Sequence, residues 1–487
     1  MQGNIPLYQV GGYRAHTNRD AKTLADILCP SNGGVDLLLG ILPCGASYLL
    51  LEERPFFRIF RNTRDRPWHS FEFRSLSPIH FDSRETFEAK LDTFVSNKNK
   101  KGGQSRDRSK LNKAYTSTDL QFLSPEGKTR AEFELHRVLY RLRRSHLPPQ
   151  EVFTLPRAIR SRIDTLRLIS LSYTLWEKDG RRLDERIRDP KIKDIGWTEF
   201  TLPDASNDLR VKSAYHWVID ENKMFFNPGR KRVDFQHGAT DTISQVNLAT
   251  RLQALLSDIS PNFMLLVHDQ KETLQILSAL GVNGPWQDSL HDILGPQKSS
   301  SDSRRRSRSP QHDTARDPRQ RARSPSSQSP TTQPFIVDLK ASFSALKQVY
   351  SNVDLTIPKI CHDLLLKSNG PNEQCAGNDS VVLGSIWEAM VSGNAIDDQR
   401  LARWPNGKLP SVALADEDPT DIKVDPSLEA LPAAVDDDDD SDFDPNDVEP
   451  VGNQGGVVVE GVIRQPGTAN AAPAKDPYEE LEDDDDY

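Results

Sequence analysis

The chain has 487 residues, a net charge of -9 and a hydrophobic fraction of 36%, which is low for a chain that folds throughout. Residues 436–487 hold 18 Asp and Glu against 2 Lys and Arg, so this tail carries -16 and the rest of the chain +7. The acidic balance therefore comes from the tail, and the preceding body is mildly basic.

Cysteine spacing and hydropathy exclude several protein classes. The four cysteines are Cys29, Cys44, Cys361 and Cys375. They are widely separated and form no CxxC pair, which excludes a disulfide framework and the usual zinc patterns and favours a reducing compartment. The most apolar run, residues 35–51, is interrupted by two glycines and a proline, and residues 1–13 lack a secretory pattern. We therefore expect an intracellular protein with no membrane partner.

Residues 1–95 combine apolar runs (VDLLLGIL, SYLLLEE) with the strand-like strings FFRIF and FEFRSL and an amphipathic helix over 84–95. This pattern predicts an α+β region of unknown role. Its aromatic residues alternate with arginines, which suits base stacking, but such alternation is more typical of a strand with one solvated face. The basic, glycine-containing residues that follow predict a linker over 96–124.

The remaining folded material is predicted in two parts, 125–296 and 335–393. Strands are predicted over 166–174, 213–220, 263–268 and 335–339. Helices are predicted over 131–144, 243–259, 270–280, 341–350, 357–367 and 378–391. Strands that first meander and then alternate with helices predict an α/β fold with a mixed sheet flanked by helices.

Two segments have compositions that cannot bury a core. Residues 297–334 are rich in Arg, Ser and Pro, and their Ser-Pro pairs are suited to phosphorylation that would cancel nearby Arg charge. Residues 394–487 are rich in Pro, Asp and Glu. We expect a disordered Arg/Ser-rich insertion and a disordered acidic tail. The strings SRRRSRSP and RQRARSP predict nuclear import, with a cytoplasmic location as the alternative.

Four strings, in order, carry a resemblance to a known family: LISLSYTLWEKDG with DIGW, AYHWVIDEN with FQHGATDTIS, LLVHDQKETLQILSALGV, and QCAGNDSVVLGSIWEAM. They resemble a fungal branch of the RNase H-like fold related to the DEDD 3'-to-5' exonucleases, which includes a Gfd-type group linked to mRNA export. The resemblance covers about residues 166–392 without the insertion. It implies an RNase H-like sheet.

Active members of such families use four carboxylates to hold two divalent metal ions that activate water on a phosphate. The resemblance places Ser172, Tyr173 and Thr174 where the first motif has Asp-x-Glu. Both of the first motif's metal ligands are therefore replaced. Without them, the chain is expected to bind no metal cofactor and to have lost catalysis.

The other motifs are also degenerate. His268 is followed five residues later by Thr273 instead of an Asp. Gln374 replaces the His of the third motif, whereas Asp379 is retained as the residual catalytic residue. Asp379 has an alternative interpretation as a cap of the last helix. A rebuilt site is the second alternative, and it would recruit carboxylates such as Glu177, Glu272 or Asp338.

These observations favour a nucleic-acid-binding protein, with RNA as the preferred candidate, built on a degenerate exonuclease-like domain. The candidate binding residues are Arg304, Arg305, Arg306, Arg308, Arg230, Lys231 and Arg232. The first alternative is an active 3'-to-5' exonuclease, which alone would require Mg²⁺ or Mn²⁺. The second is an interaction scaffold whose acidic tail binds basic proteins.

Overall fold

The computed structural model describes residues 4–11, 20–29, 33–61, 66–94, 109, 111–112, 115, 119–148, 150–202, 204, 208–258, 262–296, 333–349, 355–370 and 372–405. All of them belong to one compact unit, Met1–Val412. The predicted insertion between 297 and 332 and the tail beyond 405 lie outside the described residues. Their disorder therefore stays a prediction.

The strands and helices are numbered in chain order. The strands are β1 Pro6–Gln9, β2 Val35–Ile41, β3 Ser47–Glu52, β4 Trp68–His69, β5 Ser75–Phe81, β6 Arg167–Leu175, β7 Ile192–Thr201, β8 Arg210–Ile219, β9 Lys231–Arg232, β10 Thr240–Ile243, β11 Phe263–Val267, β12 Phe335–Asp338 and β13 Glu373–Gln374. The helices are α1 Ala21–Leu28, α2 Glu53–Ile59, α3 Arg84–Thr93, α4 Pro125–Arg143, α5 Arg157–Asp164, α6 Leu183–Arg188, α7 Gln245–Asp258, α8 Gln270–Ala279, α9 His291–Leu294, α10 Leu339–Lys347, α11 Ile357–Leu364, α12 Ala376–Val391 and α13 Ile396–Arg403.

The N-terminal sheet is antiparallel and is buried on both faces. Its strand order is β4-β1-β3-β2-β5. Successive side chains of a strand point to opposite faces, so Leu37 and Leu39 join the core beneath α1 and α3, whereas Leu38 joins the core shared with α4. This two-sided burial explains why VDLLLGIL is apolar without alternation.

The second sheet has the order β10-β8-β7-β6-β11-β12. β6, β8, β10, β11 and β12 run parallel to one another, and β7 alone is antiparallel. α12 packs on β6, β7 and β8, and α7 and α8 contribute to the core on the opposite face. This mixed sheet flanked by helices is the RNase H-like arrangement, which confirms the predicted fold class.

The central helix α4 joins the two sheets into one body. It packs against strand β5 of the first sheet and against helices α10 and α12, which flank the second sheet. One hydrophobic core includes Leu38 of β2, Phe133 of α4 and Leu266 of β11. The sequence predicts 1–95 and 125–296 as separate regions, whereas their side chains share one hydrophobic core.

Three local differences from the sequence prediction have physical reasons. FFRIF lies mostly in helix α2 and not in a strand, since Phe56 and Phe60 are four residues apart and share the buried side. Phe56 stacks on Tyr8 with ring centroids 4.4 Å apart, so it is not available to bases. Within the predicted linker 96–124, Asn112 is buried. Its Oδ1 accepts a hydrogen bond from the Ser47 amide, and its Nδ2 donates one to the Ser47 carbonyl, each at 2.9 Å.

The third difference concerns the start of the acidic tail at residue 394. Residues 396–403 form helix α13, in which Ile396 and Asp397 are fully buried. Arg130 of α4 donates two hydrogen bonds to the Asp397 carboxylate, at 3.1 and 3.0 Å. The folded body therefore extends beyond the predicted boundary, because a buried ion pair compensates the charges that made this segment look solvated.

Candidate functional site

The positions of the three degenerate motifs come together in one open cleft of about 250 Å³. The cleft lies at the carboxyl ends of β6 and β11, beside the amino-terminal turn of α12. Its lining includes Ser172, Tyr173, Thr174, Glu177, Arg230, His268, Glu272, Gln374 and Asp379. The sequence assigned these motif positions separately, and the fold brings them to one place.

The first motif lies at the end of β6, where hydroxyl groups replace carboxylates. Ser172 and Thr174 are largely buried, and Thr174 lies directly opposite Asp194 of β7 in the antiparallel ladder. Burial raises the pKa of Tyr173 well above its usual range, and the nearby carboxylates of Glu272 and Asp269 raise it further. This strand end therefore presents neutral side chains to the cleft.

The second motif begins after β11, and its polar groups are occupied by structural bonds. His268 Nε2 bonds to the Leu355 carbonyl at 2.6 Å. Asp269 caps α8 by accepting a bond from the Glu272 amide at 3.1 Å, and it pairs with Lys340 at 3.2 Å. Thr273 Oγ1 donates to the Asp269 carbonyl at 2.7 Å. These contacts are those of a turn and a helix start.

The third motif spans β13 and the first turn of α12. Gln374 accepts a bond from Asn227 at 3.2 Å and donates to Glu177 at 3.3 Å, so it holds the wall of the cleft. α12 approaches β7 closely because residue 196 is glycine. A Cβ atom there would lie 2.0 Å from the Ala376 carbonyl oxygen. The glycine thus sets the position of α12 and of Asp379.

Asp379 does not cap its helix. The residue at the helix start is Cys375, which makes no side-chain capping bond, and the Asp379 carboxylate accepts a bond from Asn369 at 3.5 Å. Burial raises the pKa of Asp379 to about 7, and the nearby charge of Asp194 acts in the same direction. The carboxyl group therefore titrates near neutral pH instead of remaining a permanent anion.

The other three candidate carboxylates differ from one another in their contacts and surroundings. Glu177 pairs with Arg230 at 3.0 Å at the mouth of the cleft. Burial raises the pKa of Glu272, and the charge of Asp269 adds to this. Asp338 caps α10 by accepting a bond from the Ala341 amide at 2.7 Å, and it also accepts one from the Gln270 amide at 3.1 Å.

The family that the sequence resembles binds two divalent cations, and this cleft does not fit them. Hydroxyl side chains occupy the positions of three of the four expected carboxylate ligands, and each hard cation needs several anionic or carbonyl oxygens. Within the part of the chain that the structure describes, no three His, Cys, Asp or Glu side chains are grouped to hold a metal ion. The side chains that are present supply neutral hydrogen-bonding groups at these positions.

Three of the predicted binding residues lie beside the cleft. Arg230 lines it, and Lys231 and Arg232 form the exposed strand β9, which pairs in parallel with β13. This pairing places the two cations next to Gln374. The four arginines between 304 and 308 lie outside the described residues.

Sequence reasoning missed a buried polar cluster behind the cleft. His216 Nε2 lies 3.4 Å from Asp194 Oδ2 and 3.9 Å from Cys375 Sγ. Burial lowers the pKa of His216, but the bonds to Asp194 and Cys375 outweigh this and raise it to about 9. The three residues come from β7, β8 and the start of α12, so no local sequence pattern connects them.

Comparisons with known proteins add little to these observations. No family model and no curated protein matches the chain. Among solved structures, Pop2p of S. pombe in its Mg²⁺- and Mn²⁺-bound form is 15% identical, with a TM-score of 0.27, over 51% of this chain and 88% of that one. A chain from the yeast NOT1 MIF4G domain co-crystallized with CAF1 is 13% identical, with a TM-score of 0.25, over 54% and 95%. No described helix is both long and apolar enough to cross a membrane.

Proposed function

We propose that the chain binds nucleic acid, RNA in preference to DNA, through an RNase H-like domain that has lost metal-dependent hydrolysis. The observation that carries this proposal is the replacement of acidic motif positions by neutral side chains in one cleft, with basic residues at its edge. Binding needs only neutralised phosphates, whereas hydrolysis needs grouped carboxylates.

The electrostatics of the cleft suit a phosphate backbone. Ser172 and Thr174 carry no charge, and the proton that Asp379 holds near neutral pH removes another negative charge for part of the time. Lys231 and Arg232 are exposed, with no recorded ion pair among the described residues. The predicted Arg-rich insertion supplies further phosphate contacts that do not depend on sequence.

An active exonuclease is the second candidate, because Glu177, Glu272 and Asp379 line the same cleft. In that case these carboxylates would hold Mg²⁺ or Mn²⁺ after Glu177 leaves Arg230. The pairing of Glu177 with Arg230 and the raised pKa of Glu272 and of Asp379 favour the binder.

The test uses the full chain and a labelled single-stranded RNA, with DNA of the same sequence in parallel. Affinity is measured at several salt concentrations for the wild type and for the double variant Lys231→Gln/Arg232→Gln. The control is Lys22→Gln/Arg61→Gln, which removes two exposed charges from the N-terminal region. We expect the first double variant to reduce the salt slope by about 1.4, because each phosphate contact on a single strand contributes about 0.7.

Equal losses in both double variants would contradict the proposed binding surface. A second assay incubates the same RNA with Mg²⁺ or Mn²⁺ and compares the wild type with Asp379→Asn. We expect no cleavage from either. Metal-dependent cleavage that disappears in Asp379→Asn would establish the exonuclease instead.

A further inference from the structure

A second cavity of about 450 Å³ lies outside the cleft, among β5, α3, α4 and α13. Its volume falls in the range of small-molecule sites. Its lining includes Phe81, Lys90, Arg137, Arg141, Ala395 and Leu401. The cavity thus joins the N-terminal sheet to the helix that follows the RNase H-like sheet.

Arg137 has an unsatisfied donor in this cavity wall. Its side chain is 1% exposed, and it pairs with Glu134 and donates from Nε to the Gly393 carbonyl at 3.1 Å. Its Nη2 is buried and has no hydrogen-bond partner. Leaving a charged donor buried and unpaired is costly unless a ligand satisfies it.

Arg141 lies one helical turn beyond Arg137 and adds a second cation, which forms no direct ion pair within the described part of the chain. The one hydrogen bond recorded for it joins Nη1 to the Pro78 carbonyl at 3.2 Å. Burial lowers the pKa of Arg141 to about 10, and the charge of Arg137 contributes to this. The neighbouring Lys90 is already neutralised, because it pairs with Asp398 at 2.6 Å. Asp82, the other acidic side chain of the lining, is exposed at the rim and lies 3.2 Å from His80 Nε2. Arg141 therefore lies beside an unpaired donor with no carboxylate bonded to it among the described residues.

The rest of the lining combines five apolar side chains with six polar ones, which are His80, Asp82, Thr86, Thr93, Asn394 and Asp398. Ile79, Phe81, Ala89 and Ala395 contribute to the wall, and Leu401 is 54% exposed at its edge. An inorganic anion would leave this surface uncovered. A ligand with a charged head and an apolar body would satisfy both parts of the cavity.

We propose that this cavity binds a small organic anion whose phosphate or carboxylate group contacts Arg137 Nη2 and Arg141. The apolar body of the ligand packs against Phe81 and the neighbouring aliphatic side chains. Two arginines that contact the same anion donate short, charge-assisted hydrogen bonds to it. This site is independent of the proposed nucleic-acid surface.

Titration calorimetry on the full chain tests the site with three probes of one shape: phenyl phosphate, benzoate and uncharged phenol. We expect one of the two anions to bind and phenol not to bind. The comparison of phenyl phosphate with benzoate decides between phosphate and carboxylate. If neither anion binds, the proposal is wrong.

The matched variants are Arg141→Gln, which removes the charge, and Arg141→Lys, which keeps it. We expect Arg141→Gln to weaken the binding of the anion by about tenfold or more, and Arg141→Lys to weaken it less. The variant Lys231→Gln/Arg232→Gln should bind it as the wild type does, which separates this cavity from the cleft. Unchanged affinity in an Arg141→Gln variant with a wild-type circular dichroism spectrum would overturn the assignment.

Discussion

The ion pair between Arg130 and Asp397 offers a direct test of where the folded body ends. Both side chains are almost fully buried, at 0% and 2% exposure, and the pair connects α4 to α13. Burial alone would raise the pKa of Asp397, but the charges of Arg130, Lys90 and Arg400 hold it well below the usual range. Replacing Asp397 with Asn keeps the shape of the side chain and removes its charge.

The expected loss follows from the geometry of this pair. Removing one partner of a buried, doubly bonded pair costs about 3–5 kcal/mol, since the other charge stays buried without compensation. The unfolding entropy is ~2.1 cal/mol/K per residue, summed here over the unit Met1–Val412. With that entropy, this loss of free energy lowers the apparent melting temperature by about 4–6 °C. The stabilisation from ionised Asp397 is complete above the pKa of about 4 that this residue has in the unfolded state. It is lost as pH falls through the lower pKa of Asp397 in the folded state.

The assay is thermal and urea unfolding of the wild type and of Asp397→Asn, followed by circular dichroism at pH 7. The control is Asp241→Asn, which breaks an exposed pair with Arg251 and should cost at most about 1 kcal/mol. The double variant Arg130→Met/Asp397→Leu should recover part of the loss, because the fully buried charge of Arg130 is removed with its partner and only Arg400, which is 15% exposed, loses a carboxylate. If Asp397→Asn is no more destabilising than the control, residues 396–403 do not belong to the folded body as described.

Two further predictions concern the cleft. Gly196→Ala should destabilise the protein by about 1–3 kcal/mol in urea unfolding, because the new Cβ would meet the Ala376 carbonyl. The control is Gly180→Ala, whose new Cβ would have no atom within 4 Å, and its stability should be within about 0.5 kcal/mol of the wild type. Equal effects would contradict the close approach of α12. Because the folded-state pKa of Asp379 lies above its unfolded value of about 4, its contribution to stability falls as pH rises from about 4 to 7. Asp379→Asn should therefore gain stability relative to the wild type between pH 5 and pH 8, and an unchanged difference would refute the raised pKa.

The sequence predicted four of the six strands of the second sheet, because those strands and the helices near them have clear and different periods, and it missed β7 and β10. The predicted strand over 263–268 and helix over 270–280 lie within one residue of β11 and α8 at each end. The strand prediction for FFRIF was wrong, since five residues fit both the strand and the helix period and only the packing of Phe56 on Tyr8 decides between them. Asn112 could not be predicted either, because a polar side chain is buried here by bonds to a distant backbone.

The candidate site was predicted in part. The resemblance identified the positions of Ser172, Thr273 and Asp379, and the fold places the three segments around one cleft. It could not show that Arg230 bonds to Glu177, since Arg230 lies 53 positions further along the chain and outside the strings that carry the resemblance. The cluster of Asp194 with His216 was missed for the same reason.

The substitutions in the cleft have a consequence for charge that favours binding over hydrolysis. A pair of metal ions normally compensates the carboxylates of such a site, and carboxylates without metal ions repel a phosphate backbone. Under the proposed function, Ser172 and Thr174 in place of carboxylates remove this repulsion, and their hydroxyls keep the cleft polar. The remaining acidic groups are offset locally, since Arg230 neutralises Glu177 and burial favours the protonated form of Asp379. In the proposed function, this cleft accepts phosphates without metal ions, and Lys231 and Arg232 supply the attraction at its edge.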